Sequence, residues 1–459
     1  MSVRHDERQR RQSLLESVLP MALVILFLAG APGVFGQKGI AGSLPVPSPT
    51  QARAPSVAIT PLKDLLAEAE QSNPQIQAAR QSWEAAKQVP SQVSTRPDPE
   101  FILLQNNVGS PRPFSGYTNS NFAYIGLGVS QDLPYPGKLR LRGEMAKRDA
   151  DIVQQQYESV RRAVLVAVKS AYFQLAYLAQ TLAILDSDGQ LLEEVEKAAE
   201  ARYRSGMGNQ HDLLAAQVEQ TKLVREISMH HLDVAKAQAQ IKQLLSRPQS
   251  SPDIRPADLP TTPLLYSFED LLAAADAQNP EISGAETMVE KTKLQVDLAH
   301  KDFYPDFNVQ YAWERTDPSQ FRAYYFLKVG VQVPIYHNRK QRPELAQAEA
   351  NVNRSHREAE SQLQQIAFEV RTEFDTEEET SELLGIYQDG LLPQTRAEFQ
   401  SGLAAYQSNR QDFQALLASF LDVLHLDEEY WQTVAGHETA LARLEELTGL
   451  SLREEGTKK

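Results

Sequence analysis

The sequence predicts a mainly α-helical chain that also carries the strands of a membrane β-barrel, built from two copies of one unit. Three observations support this fold class. They are an internal duplication, two very long stretches with helical apolar spacing, and two short strand-like stretches in each copy. Of the 459 residues, 42% are hydrophobic and 23% are charged, which is normal for a chain that folds around an apolar core.

Composition also limits the classes of function. The 60 acidic side chains outnumber the 46 basic ones, so a nucleic acid would be repelled and we expect none as a partner. The chain has no cysteine, which excludes disulfides, thiolate metal sites, catalytic thiols and a lipidated N-terminal cysteine. It also has no Gly-rich phosphate loop, nucleophile elbow or paired-histidine zinc motif. We therefore predict that the protein is not an enzyme and needs no cofactor.

The first residues indicate export. Four arginines within residues 4–11 precede an apolar run from Met21 to Phe35, and small residues end at Gly36. The run of about 15 residues is shorter than the roughly 20 that a membrane-spanning helix needs. We predict a signal peptide over 1–36 and an extended leader, rich in Pro, Ser and Ala, over 37–60.

An internal duplication covers nearly all of the remaining chain. The segment Asp64–Ile76 returns 206 residues later as Asp270–Ile282, with eight of thirteen positions identical. In each copy an Asn-Pro pair predicts the start of a helix, because Asn caps free N–H groups and Pro suits the first helical position. The predicted organisation is repeat 1 over 61–250, a linker over 251–264, repeat 2 over 265–450 and a polar tail over 451–459.

Each repeat is predicted to contribute one β-hairpin, over 101–133 and 307–333. In the clearest strand apolar residues alternate with more polar ones, Phe307, Val309, Tyr311 and Trp313 against Asn308, Gln310, Ala312 and Glu314. An apolar face and a polar face are typical of outer-membrane barrel strands, and a soluble half-buried sheet is the alternative. The turn-rich loops over 109–121 and 316–322 are expected to face solvent.

Very long helices connect these hairpins to two sharp turns. Arg142–Arg204 is almost free of turn residues and would extend about 95 Å, with Asp188-Gly189 as a candidate break. The second copy runs from Pro343 toward Tyr406, with Pro393 as an expected irregularity.

The two turns occupy 203–208 and 406–411, offset by 203 residues. Gly206 corresponds to Asn409, and both residue types tolerate the left-handed conformation that ends a helix. Both copies are therefore expected to make the same turn.

These motifs, over about residues 60–450, resemble the TolC-type outer-membrane efflux family. The motifs are Asn-Pro-x-Ile, the hairpin, Tyr135-Pro136-Gly137-Lys138, the long helix and the Tyr-x-Ser-Gly turn. The Pro-Gly-Lys segment is most similar to the heavy-metal branch of that family. The resemblance implies a homotrimer with a 12-stranded barrel in the outer membrane and an α-helical tunnel in the periplasm. Four strands alone cannot close a barrel, and open sheet edges are not tolerated in lipid, so oligomerisation is expected on physical grounds too.

The resemblance also implies a function and partners. The protein would be a passive export duct for metal ions or small toxic compounds, acting with a periplasmic adaptor (membrane-fusion) protein and an inner-membrane resistance-nodulation-division pump. A type I secretion duct has the same fold and stays an alternative. A periplasmic coiled-coil scaffold, in which the hairpins form a small soluble sheet, is the alternative from another class.

The same resemblance indicates the candidate site residues. The residues expected to dock the adaptor are Tyr203, Ser205, Gly206, Met207, Gly208, Tyr406, Ser408, Asn409, Arg410 and Gln411. Asp212 matches an acidic constriction of the lumen, whereas Ala415 and Ala418 stand where the second copy would carry acids, and Asp412 is the substitute candidate. Capping of the helix N-terminus is an equally good explanation of Asp212.

Two further groups are interpreted as ordinary surface. His230 and His231 are adjacent on a helix and point in different directions, so we expect them to be solvated and predict no metal site. For the acidic run over 373–379, a solvent-facing helix surface is favoured over a lining of the lumen.

Overall fold

The computed structural model describes residues 59–106, 124–315 and 323–452. The predicted signal peptide, nearly all of the predicted leader, both predicted hairpin loops and most of the predicted tail lie outside these ranges.

Helices dominate the described residues, and the order of elements repeats. The first half contains α1 Leu62–Ser72, α2 Pro74–Ala86, α3 Val89–Ser94, β1 Glu100–Asn106, β2 Tyr124–Leu133, α4 Lys138–Arg204 and α5 Gln210–Leu244. The second half contains α6 Phe268–Gln278, α7 Pro280–Lys301, β3 Asp306–Arg315, β4 Tyr324–Gln332, α8 Gln341–Ile386, a π-helical turn Tyr387–Leu391, α9 Leu392–Gln407 and α10 Phe413–Thr448. The predicted fold class, mainly helical with four strands, is confirmed.

The Asn-Pro pairs start helices as predicted. The Asn73 side chain accepts hydrogen bonds from the N–H groups of Gln75 and Ile76, at 2.8 and 3.4 Å, and Asn279 caps α7 in the same way. Each amide also donates in the other direction, from Asn73 to the carbonyl of Leu244 at 2.8 Å and from Asn279 to that of Leu447 at 3.0 Å. Each asparagine therefore fixes the start of one helix against the end of the return helix of its repeat.

The long helix of the first repeat has no break. α4 spans 67 residues, about 100 Å at 1.5 Å per residue. The candidate break at Asp188-Gly189 was wrong. Asp188 is buried, and a side chain at Gly189 would meet Leu223 of α5 at ordinary contact distance, so packing on this face overrides the weak helix propensity of the pair.

The second repeat has the predicted irregularity. Pro393 lies in the first turn of α9, directly after the π-helical turn Tyr387–Leu391. Because proline has no N–H to donate within a helix, the preceding turn widens to accommodate it. No helix in the described part of the chain is both long enough and apolar enough to cross a membrane.

The buried apolar residues form several clusters along the helices rather than a single core. The half nearer the two turns is filled by Leu192 and Val195 of α4 together with Tyr406, Leu416 and Phe420 of the second repeat. α4 packs against both α5 and α10, so within the chain the first repeat covers one side of the second.

The four strands form one antiparallel sheet in the order β1-β2-β3-β4. β2 and β3 join the two hairpins, and Leu103 faces Leu127, which in turn faces Trp313. Residues directly opposite in an antiparallel pair point to the same face, so this register gathers the alternating apolar residues of all four strands on one face. β1 and β4 are the outer strands of this sheet.

Candidate functional site

One face of the sheet is apolar and exposed. Phe101 is 84% exposed, Leu127 61% and Leu327 66%. The exposed members of this apolar sheet face are Phe101, Leu103, Leu127, Phe307, Tyr311, Tyr325, Leu327, Val329 and Val331. A contiguous exposed apolar surface of this kind marks a site of contact with a membrane or with another protein chain.

Aromatic rings lie toward the loop ends of β3 and β4. Tyr311 and Tyr325 stack on the apolar face with ring centroids 5.8 Å apart, and Trp313 faces Tyr325 in the register. Tyr324 points to the other face, where its hydroxyl donates to Glu314 at 2.7 Å. The alternation of side chains along β4 separates Tyr324 from Tyr325.

The other face of the sheet is polar and closely packed. Asn308 donates to Asp132 at 2.8 Å and to Ser130 at 3.0 Å. Gly126 lies opposite Glu314, and a Cβ on Gly126 would come within 2.6 Å of a backbone oxygen. Glycine is therefore required where the Glu314 side chain lies across β2.

The segment Tyr135–Lys138 joins the sheet to the helices. Gly137, with φ of +95°, precedes α4, and the buried Lys138 ammonium lies 3.0 Å from both Asp302 and Asp306. The Tyr135 N–H donates to Asp306 at 2.7 Å. This segment therefore holds the exit of β2 against the junction of α7 and β3, which gives the motif a role in folding.

The two turns between the long helices have the same backbone structure. Gly206 and Asn409 both adopt the left-handed conformation, with φ of 74° and 59°. The N–H of Met207 donates to the carbonyl of Arg202, and in the other turn Arg410 donates to Ala405, at 2.9 and 2.8 Å. The predicted equivalence of the two turns is confirmed.

The candidate docking residues differ in exposure. Most of them are exposed, namely Tyr203, Ser205, Gly206, Met207, Ser408, Asn409 and Arg410. Gly208 and Gln411 are partly exposed, whereas Tyr406 is buried at 1% exposure. The two turns thus present a common exposed surface, from which the Tyr406 ring is withdrawn.

Tyr406 is the centre of a polar network between the turns. Its hydroxyl donates to Asp212 at 3.2 Å, and the Arg202 guanidinium lies 4.2 Å from the centre of its ring. Arg202 also donates to the Tyr406 carbonyl at 2.9 Å and to the Asn409 side chain. Burial and the negative charge of Asp212 raise the pKa of Tyr406 to about 12, so the hydroxyl stays a donor. The network ties the end of the first helical hairpin to the end of the second.

The two candidate constriction residues therefore have different local roles. Asp412 is the N-cap of α10 and accepts a hydrogen bond from the N–H of Ala415 at 2.8 Å. Asp212 lies in the first turn of α5, where Asn209 is the N-cap, and its carboxylate receives the Tyr406 hydroxyl. Arg202 was missed at the sequence level. The one sequence feature that marks Arg202 is a difference between the repeats, because the equivalent position in repeat 2 is Ala405.

Two expectations about surface residues need correction. His231 is exposed, but His230 is only 14% exposed and faces Glu428. Within the acidic run, Glu377 is 5% exposed and lies 3.9 Å from His437, because this side of α8 packs against α10. Burial raises the pKa of the Glu377 carboxyl.

Asp188 is a buried acid of α4 that lies near Asp427 of α10 and Arg396 of α9. Its Oδ2 has no hydrogen-bond partner among the described residues. Burial, and secondarily the charge of Asp427, raises the pKa of the Asp188 carboxyl to about 6, against a smaller opposing effect of Arg396. Between about pH 4 and pH 6 the folded protein thus holds a proton that the unfolded chain releases, and the free energy of unfolding falls as pH rises through this window.

We expect Asp188→Asn to stabilise the protein at neutral pH only. The free energy of unfolding should rise by about 1–2 kcal/mol at pH 7.5 and change little at pH 4, where Asp188 is already neutral. Thermal unfolding of the purified protein at both pH values measures this. Asp186→Asn, at an exposed position of the same helix, is the control. An equal stabilisation by Asp188→Asn at both pH values would show that its charge is not the cause.

Comparison with known proteins agrees with this architecture. The chain resembles the solved structure of the outer-membrane channel OprN with a TM-score of 0.73 and 18% identity, over 85% of this chain and 90% of that one. It resembles the outer membrane protein VceC of Vibrio cholerae with a TM-score of 0.71 and 16% identity, over 84% and 96%. For the MtrE outer membrane channel of Neisseria gonorrhoeae the TM-score is 0.72 and the identity 15%, over 86% and 90%. These likenesses show a shared fold.

The curated proteins contain no significant match to the chain. The sequence profile described as "Outer membrane efflux protein" matches residues 65–247 and 271–425, which together make up well over half of the chain. One matched segment lies within each of the two repeats. The chain belongs to the outer membrane efflux protein family.

Proposed function

We propose that three copies of this chain form a passive export duct in the outer membrane, extending into the periplasm. The observation that carries this proposal is the exposed apolar face of a sheet that is joined to long helices, of which α4 extends about 100 Å. A barrel would take up the apolar face in lipid, and the helices would extend the passage below it. A soluble periplasmic scaffold is disfavoured, because it would leave the same face in water.

The open edges of the sheet support association of several copies. β1 and β4 are its outer strands, and an unpaired strand edge in lipid costs several kcal/mol for each unsatisfied backbone group. Pairing β4 of one copy with β1 of the next removes both edges. Three copies, as the family resemblance implies, give twelve strands.

The repeats support a ring in the helical part too. Positions 203 residues apart differ in burial. Leu417 is 7% exposed and its counterpart Leu214 is 50% exposed, while Tyr406 is 1% exposed and Tyr203 is 44% exposed. Within the chain, repeat 1 covers the face of repeat 2 that carries Tyr406 and Leu417. Repeat 2 of a neighbouring copy would cover the equivalent face of repeat 1, which carries Tyr203 and Leu214. Such a head-to-tail contact between copies can close into a ring.

The substrate and partners form the finer part of the proposal. We propose metal ions or small toxic compounds as the exported solutes, on the strength of the Tyr135–Lys138 segment that resembles the heavy-metal branch. A periplasmic adaptor would dock on the exposed turns over 203–208 and 406–411, with a resistance-nodulation-division pump in the inner membrane. In a trimer Asp212 and Asp412 would each occur three times near the narrow end, where repeated carboxylates favour cations.

We expect the Tyr406 network to keep the duct narrow at the end formed by the two turns. Tyr406→Phe should widen the duct at that end. The substitution removes a hydrogen bond to a charged group, worth about 1.5–3 kcal/mol in each chain, while the ring keeps its packing. In planar bilayers, purified Tyr406→Phe should spend a larger fraction of time in a conducting state than the wild type. The matched control is Tyr203→Phe, which alters the exposed counterpart ring.

The same recordings test the duct itself. If neither the wild type nor Tyr406→Phe conducts, the proposed duct is wrong. If Tyr406→Phe, Tyr203→Phe and the wild type conduct to the same extent, the duct stands but the network does not set its width.

A further inference from the structure

Three potential metal ligands meet between the two repeats. Glu226 and His230 lie one turn apart on α5, so they share a face, and Glu428 lies on α10. One ligand atom from each residue lies within 4.8 Å of the other two. The sequence did not suggest this group, because its third member comes from the other repeat.

The histidine is held without a full set of hydrogen bonds. His230 Nε2 is 3.8 Å from Glu428 Oε1, too far for a hydrogen bond. Its Nδ1 is buried and has no partner among the described residues. An unpaired buried polar atom costs about 1–3 kcal/mol, so an ion bound at Nδ1 would offset that cost, whereas an ion bound at Nε2 would not.

The carboxylate of Glu428 is oriented by a neighbour. The Tyr177 hydroxyl of α4 donates to Glu428 Oε1 at 3.2 Å. A hydrogen bond that orients a ligating carboxylate is a usual companion of a metal site.

We propose that Glu226, His230 and Glu428 bind a zinc ion. Imidazole together with carboxylates suits Zn²⁺, whereas Ca²⁺ and Mg²⁺ prefer oxygen ligands alone. Zinc bonds of about 2.0–2.2 Å need ligand atoms roughly 3.3 Å apart, so binding would draw these side chains closer together. A water completes the coordination.

The ion would link the two repeats. α5 and α10 both pack against α4 and contact each other little, so a metal that bridges them adds a direct connection between the two helical hairpins. All three ligands belong to one chain. The inference therefore depends neither on the proposed duct nor on the number of copies in the assembly.

The test is zinc binding by the purified full-length chain in detergent, stripped of metal and without a histidine tag. Zinc is titrated in competition with a chromophoric chelator. We expect one ion per chain in the wild type and a dissociation constant at least tenfold higher in His230→Gln and Glu428→Gln. His231→Gln, which changes the adjacent exposed histidine, should bind as the wild type does. Co²⁺ in place of zinc should give visible absorption bands in the wild type that His230→Gln lacks.

Circular dichroism and thermal unfolding without metal establish that each variant is folded. If His230→Gln does not fold, Glu226→Gln decides, since this amide is close in size to the carboxylate it replaces. Weaker zinc binding by the folded variants supports the site. The inference is overturned if the wild type binds zinc no more tightly, and in no greater amount, than these variants.

Discussion

Arginine in place of Val329 will keep the protein out of the outer membrane. Val329 is 59% exposed, lies in the middle of β4 and pairs with Val309 on the apolar sheet face. A lipid-facing arginine near the bilayer midplane costs about 2–4 kcal/mol, and a trimer would contain three of them. We expect Val329→Arg to be missing from the outer-membrane fraction, which is measured by membrane fractionation and immunoblotting.

The neighbouring residue provides the control. Lys328 precedes Val329 in β4 and points to the other face, so Lys328→Arg keeps the charge on the polar side. It should reach the outer membrane at the level of the wild type. If Val329→Arg also does so, the apolar face does not contact lipid.

A charge on the exposed face of α5 will prevent assembly. Leu214, Val218, Met229 and Leu232 are 50–59% exposed and recur at spacings that place them along one side of the helix. In the proposed ring a neighbouring copy covers this stripe. Val218→Asp would bury an unpaired carboxylate there, at a cost of about 3–5 kcal/mol per contact. We expect native mass spectrometry to detect monomers of Val218→Asp and trimers of the wild type.

The matched variant at this position is Val218→Ala, which shortens the side chain without adding charge and should still assemble. Circular dichroism of monomeric Val218→Asp should retain the helical signal, because Val218 is 53% exposed within the chain. Assembly of Val218→Asp into trimers at the wild-type concentration would mean that the stripe lies outside the contact between copies.

Much of the fold could be predicted because it depends on local chemistry. The Asn-Pro helix starts, the alternation in the strands and the left-handed residues at the turns each follow from neighbouring residues. The duplication then let the clearer copy support the less clear one. The wrong break at Asp188-Gly189 shows the limit, because burial against α5 and α10 decides the conformation there.

The sites were harder to predict because their parts are distant in sequence. Tyr406 and Asp212 are 194 residues apart, and neither residue indicates alone that the other is its partner. The same holds for His230 and Glu428, which belong to different repeats. Single-sequence patterns report which face of a helix is buried, but they do not report which polar side chains meet across the interface.

Electrophoresis of the outer-membrane fraction, with and without heating, tests the central claim most directly. The account predicts that the chain is found in this fraction and migrates as a trimer before heating and as a monomer after it. A soluble or inner-membrane monomer under both conditions would contradict the account.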